Sequence, residues 1–186
     1  MEQYSYDIKI PKARIAVLIG KSGEIKKKLE EETKTKLNID STEGDVEVQG
    51  SDAIGLLSAK EIIKAIGRGF NPEVALLLLK PEYVLTILIL NDYGKKVNIQ
   101  NRLKGRVIGK EGKTRELIEE HTETNVSIYG KTISIIGESQ NVAIARKAIE
   151  SLLTGSPHAP VYKWLEKKRR DLFEMKIKES HYRKEE

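Results

Sequence analysis

The chain carries one motif twice, Ile19-Gly20-Lys21-Ser22-Gly23 and Ile108-Gly109-Lys110-Glu111-Gly112, each preceded by an apolar run and followed by a charged stretch. The surroundings repeat as well. Leu29, Thr33 and Thr35 after the first loop correspond, at constant offset, to Ile118, Thr122 and Thr124 after the second. Thr35-Lys36-Leu37-Asn38-Ile39 is answered by Thr124-Asn125-Val126-Ser127-Ile128, and Val46-Glu47-Val48-Gln49-Gly50 by Ile133-Ser134-Ile135-Ile136-Gly137. A repeat of this length means two copies of one supersecondary unit. The 186 residues suffice for two small domains, each with its own core.

The loop's chemistry starts from its glycines. They open backbone angles closed to other residues and let the main chain approach a ligand closely. The helix that follows aims its unpaired N–H groups and positive dipole end at the loop. Lys21 and Lys110 each add a mobile cation. The combination suits a phosphate backbone. The structural alternative, a tight turn with no ligand, weakens once the same loop stands twice in matching context.

Charge distribution separates the halves. Residues 1–94 hold 13 Lys/Arg against 15 Asp/Glu; residues 95–186 hold 20 against 13. Arg102, Lys104, Arg106, Lys110, Lys113 and Arg115 gather around the second loop. A basic cluster centred on a phosphate-cradling loop is the footprint of nucleic-acid binding. Lys26, Lys27 and Lys28 are followed by Glu30, Glu31 and Glu32 and read as an ordinary mixed-charge helix face.

Patterning predicts a strand over 6–10, a helix from Pro11 to Leu18, a helix over 24–32, a hairpin over 35–39 and 46–49, and a helix capped by Ser51. Asn71-Pro72 opens a short helix over 73–79 that Pro81 stops; its apolar leucines place it between domains. The second half repeats the order: a strand over 84–90, a helix capped by Asn98, the loop and its helix, a hairpin turning at Tyr129-Gly130, and a helix capped by Ser139.

Other classes are set aside on composition. Without cysteine there is no disulfide and no cysteine-based zinc site. The longest apolar run, 84–90, is too short to span a membrane, and the polar start reads as a soluble cytoplasmic chain. The charge-rich, cysteine-free composition suits a heat-adapted organism. His121, His158 and His181 lie in separate segments, and no nucleophile elbow, Walker loop or carboxylate cluster appears. No enzyme and no cofactor are expected.

The order β-α-α-β-β-α, with Ile-Gly-x-x-Gly between the first two helices, resembles the KH domain, whose loop clamps about four unpaired nucleotides. The resemblance implies an α+β fold of two tandem type I KH domains. They would span 1–66 and 83–153, joined by a connector helix over 67–82 and followed by a basic helical tail over 154–186. It implies a second groove of Val107, Ile108, Leu117, Val126 and Ile128, and a first of Val17, Ile19, Ile25, Leu37 and Ile39. Core packing is the alternative for each of these. It also implies RNA contacts at Gly20, Lys21, Ser22 and Gly23 and at Arg102, Lys104, Arg106, Gly109, Lys110, Glu111, Gly112, Lys113 and Arg115.

Three stretches sharpen the likeness: residues 67–76 (GRGFNPEVAL), 105–114 (GRVIGKEGKT) and 153–157 (LTGSP) with Val161-Tyr162. Together they resemble the Partner-of-NOB (Dim/Pno) family of small-subunit assembly factors, in its archaeal type; the related Krr factors match less well in the tail. The resemblance implies binding to rRNA near the 3′ end of the pre-small-subunit rRNA. It further implies partnership with a NOB-type endonuclease and with other assembly or translation initiation factors, and no membrane. Two departures stand out. The first loop is intact here and lost in eukaryotic relatives, and Glu111 stands where relatives often have glycine, a carboxylate near phosphate being unfavourable. The first leaves RNA binding by the first domain open; against the second stand Lys110, Lys113 and Arg106, and the second domain is still expected to be the main RNA site.

In the tail, Tyr162, Trp164 and Lys167-Lys168-Arg169-Arg170 either add RNA contacts or dock on the second domain; docking is preferred for Trp164, and 181–186 is expected to fray. Two readings from other classes stay open: a KH-based protein-interaction scaffold and a general single-stranded nucleic-acid regulator.

Overall fold

The computed structural model describes residues 4–182. The first half runs β1 (Tyr4–Lys9), α1 (Lys12–Ile19), α2 (Glu24–Thr33), β2 (Lys36–Ile39), β3 (Asp45–Gly50) and α3 (Ala53–Gly67). A connector of α4 (Pro72–Ala75) and a 3-10 turn (Leu76–Leu79) leads to the second half. There β4 (Tyr83–Ile89), α5 (Val97–Ile108), α6 (Lys113–Thr122), β5 (Asn125–Tyr129), β6 (Thr132–Glu138) and α7 (Ser139–Leu153) repeat the order, and α8 (His158–Tyr182) follows. The two antiparallel sheets share one topology, β1-β3-β2 and β4-β6-β5. The fold is two KH domains. Of the fraying expected at 181–186, residues 183–186 lie outside the described residues.

The repeat reaches down to side-chain hydrogen bonds, which explains the paired Thr-x-Thr motifs. Thr33 and Thr35 share a hydroxyl–hydroxyl bond of 2.7 Å, and Thr122 and Thr124 one of 2.9 Å. Thr33 also donates to the Leu29 carbonyl and Thr122 to that of Ile118. The Leu37 N–H donates to the Glu30 carboxylate, and the Val126 N–H to that of Glu119, each at 2.7 Å. All four threonines are buried, so each hydroxyl needs its partner. The clasp fixes where each second helix turns into its strand.

Three expected caps move. Asp52, not Ser51, caps α3, its carboxylate accepting from the N–H groups of Ile54 and Gly55 at 3.2 and 3.1 Å. Lys96 precedes α5 and Glu138 precedes α7, neither with a side-chain cap bond; Asn98 and Ser139 sit inside the helices. Ser and Asp are near-equivalent as caps, so either could open α3.

The halves are joined through packing. β3 alternates between exposed and buried residues, whereas β6 is buried from Thr132 to Gly137. Ile133 and Ile135 enter the second core; Ile136 enters the first, with Leu85 and the half-buried Leu76–Leu79 packed beside it. A strand covered on both faces reads as a near-continuous apolar run. A second weld lies at the turn after α3. Ser127 of β5 donates to the Arg68 carbonyl at 2.9 Å, and a Cβ on Gly69 (φ +100°) would stand 2.6 Å from Ser127 Oγ. Arg14 lies 5.9 Å from the Tyr129 ring centre.

Candidate nucleic-acid interface

The two Gly-x-x-Gly loops share one backbone. Gly20 has φ, ψ of 74°, 178° and Gly109 75°, 179°; Ser22 has 53°, 24° and Glu111 54°, 26°; Gly23 has 80°, 13° and Gly112 82°, 0°. The first glycine of each pair occupies a region essentially closed to other residues. It is also pressed onto the following helix, since a Cβ there would strike Ile25 in the first loop and Thr114 in the second. The second glycine has open space, so its left-handed backbone alone calls for glycine. Ser22 and Glu111 accept the same left-handed geometry at about 1 kcal/mol each. Each loop thus turns its chain sharply between two helices, with Lys21 and Lys110 exposed at the tip.

The six cations around the second loop divide into two groups. Arg106 is committed to the fold: its Nε donates to the Leu152 carbonyl at 2.9 Å and its Nη2 to that of Ser156 at 2.5 Å. Arg115 pairs with Glu119 at 3.5 Å. Arg102, Lys104, Lys110 and Lys113 have no acidic partner among the described residues. The carboxylate of Glu111 is exposed and likewise unpaired. A field of four unneutralised cations beside one carboxylate is net attractive to phosphate.

The apolar residues divide too. Val107 is fully buried and Val126 is 5% exposed; both belong to the second core, which corrects their placement in the groove. The i, i+4 pair Leu103 and Val107 turns inward and leaves Ile108 outside, 37% exposed, directly before the loop. Leu117 and Ile128 are half-buried on the core's margin. In the first half Leu37 is buried, while Val17, Ile19, Ile25 and Ile39 stay partly accessible. The cleft-facing surface is smaller than the sequence suggests.

Contacts from the tail to the second loop are missing from the sequence reading. Tyr162 OH lies 2.7 Å from Thr114 Oγ1, and Nε2 of His158 lies 2.8 Å from the Arg106 carbonyl. Trp164 packs against the second core with Lys147 Nζ 5.5 Å from its ring centre, and Val161 and Leu165 are buried, as expected for a docked helix. From the basic quartet, Lys168 pairs with Asp171 and Arg169 with Glu120. Among the described residues no cluster of ligands could hold a metal ion, and no helix is long and apolar enough to cross a membrane.

Residues 84–170 match the profile for the second KH domain of PNO1, described as eukaryotic type KH-domain (KH-domain type I), and residues 5–65 match the KH domain profile. The KH domain-containing protein MJ0443 of Methanocaldococcus jannaschii is 50% identical over 169 residues, covering 89% of this chain and 74% of that protein. The RNA-binding protein pno1 of Dictyostelium discoideum is 30% identical over 167 residues, covering 87% and 70%. The chain belongs to the KH-domain Pno/Dim2 family. Within that family it is similar, at 45% identity and a TM-score of 0.85, to a chain of the a/eIF2alpha–aDim2p–rRNA complex of Pyrococcus horikoshii. That match covers 91% of this chain and 96% of the other. The chain spans about half the length of several eukaryotic family members.

Proposed function

We propose that the protein is an RNA-binding ribosome assembly factor. It holds single-stranded rRNA near the 3′ end of the pre-small-subunit rRNA, chiefly through the second Gly-x-x-Gly loop, and presents that end to a NOB-type endonuclease. The reading gives the chain no catalytic step of its own. One observation carries it: a loop shaped to admit a phosphate backbone, ringed by Arg102, Lys104, Lys110 and Lys113, which have no neutralising partners among the described residues. Family membership supports it, as does the relative crystallised with rRNA. Binding should weaken steeply with salt, because the cations displace counterions from phosphates.

A second reading assigns the first domain a protein partner. It is favoured by Ile54 and Leu57, 77% and 58% exposed on α3, and by the acidic balance of residues 1–94. The first loop shares the second's backbone, so its sequence-predicted RNA contacts stand as part of the proposal.

Fluorescence anisotropy with a single strand from the small-subunit rRNA 3′ end and a scrambled control tests the assignment. Lys110→Asp/Glu111→Asp should abolish the preference for the cognate strand, and Lys21→Asp/Ser22→Asp should weaken binding less. Equal binding of cognate and scrambled strands by all three proteins would sink the proposal.

A further inference from the structure

The second loop has a neighbour that the first lacks, the helix α8. Between them lies an open cleft of about 420 Å³, walled by Arg102 and Gly105 of α5, Gly109 and Lys110 of the loop, and His158 and Tyr162 of α8. At Gly105 the lining is bare backbone: a Cβ added there would meet no atom within 4 Å. Arg102 and Lys110, which line it, have no acidic partner among the described residues.

The aromatic wall is held rigidly. Tyr162 is tied through its hydroxyl to Thr114, and its ring meets that of His158 edge-on with centroids 5.9 Å apart. His158 Nε2 faces a carbonyl, so it carries the proton and donates. Two free cations, a helix surface without a side chain and two fixed rings match the parts of one nucleotide. Phosphate goes to the cations, ribose to the bare backbone at Gly105, and base to the rings. Thr114, at the start of α6, also packs against Gly109, so the residue that holds Tyr162 braces the loop as well.

We propose that this cleft binds one further nucleotide of single-stranded RNA, adjoining those held by the second loop and groove; the inference rests on the reading that the second loop binds RNA. The bound strand then exceeds the four nucleotides of a simple KH clamp, and α8 is part of the RNA site through His158 and Tyr162, not through its basic quartet.

The test uses the full chain. Anisotropy compares the tightest-binding tetranucleotide of the rRNA 3′ end with the same strand extended by one nucleotide at each end. Gly105→Leu adds an apolar side chain on the cleft wall; its Cβ meets no atom within 4 Å and leucine has the higher helix propensity, so the variant is expected to fold, which circular dichroism checks. Wild type should bind the hexanucleotide about tenfold more tightly, the scale of one stacked base. Gly105→Leu should leave the tetranucleotide unchanged and erase that gain. A full gain in Gly105→Leu, or none in wild type, overturns the cleft while the loop reading survives if Lys110→Asp/Glu111→Asp loses both strands. Insensitivity of both strands to the loop variant overturns the loop reading and the cleft with it.

Discussion

Arg14 and Arg106 reach equivalent carbonyls from different turns of their helices. Arg14 Nε donates to Ile66 at 2.8 Å and Nη2 to Phe70 at 2.6 Å; Arg106 makes the same pair of bonds to Leu152 and Ser156. Counted back from the loop glycine, Arg14 stands six residues away and Arg106 three, one helical turn apart. The bond pattern closing each third helix is thus kept while the residue supplying it has moved.

Arg106→Ala should therefore act on stability before it acts on RNA. Losing charged donors to two part-buried carbonyls costs about 2 kcal/mol, a fall of about 6 °C in thermal midpoint for a chain of this size. At 25 °C the folded variant should lose less RNA affinity than Arg102→Ala. A larger affinity loss with an unchanged midpoint would return Arg106 to the RNA-contacting set.

The weld between halves is tested at Gly69. A Cβ there collides with Ser127 and Tyr129 on a left-handed backbone. Gly69→Ala should destabilise by about 1–3 kcal/mol and split calorimetric unfolding into two transitions. Ser127→Ala, which removes one bond and leaves the shape, should cost about 1 kcal/mol and keep one transition.

Glu111→Gly separates strain from charge. The left-handed backbone costs glutamate about what glycine gives away in unfolded-state freedom, so the thermal midpoint should hardly move. Removing the carboxylate should raise RNA affinity severalfold at low salt and less at high salt. A drop in affinity would mean that Glu111 itself makes a favourable contact.

Asp40 closes the β2–β3 turn. Its carboxylate accepts the Thr42 hydroxyl at 2.6 Å and the N–H groups of Thr42 and Glu43, bonds that hold its pKa below the ordinary aspartate value. A depressed folded-state pKa stabilises the fold above the unfolded-chain value of about 4, and the benefit disappears as pH falls through the lowered pKa. In Thr42→Val the Asp40 carboxyl should titrate higher by NMR. The stability difference from wild type should be full at neutral pH and shrink in acid.

The tandem fold and both loops were legible because they repeat, and local patterning carries the order of elements. What escaped was set by contacts distant in sequence. Val107 looked like a groove residue because it stands beside Ile108, although its i, i+4 spacing from Leu103 already marked the inward face. Arg106 looked like an RNA contact because nothing local shows a bond 46 residues away. Tyr162 and His158 join the helices flanking the second loop across comparable distances, 48 and 52 residues.

The apolar run of β6 has a consequence for synthesis. The connector leucines leave the ribosome before the strand that buries them, so the nascent first half waits with a greasy flank uncovered. A fragment starting at Tyr83 would carry Leu85 and Ile136 bare into water and self-associate. The duplicated chain thus acts as a single unit of production, and either copy made alone is expected to be less soluble than the whole.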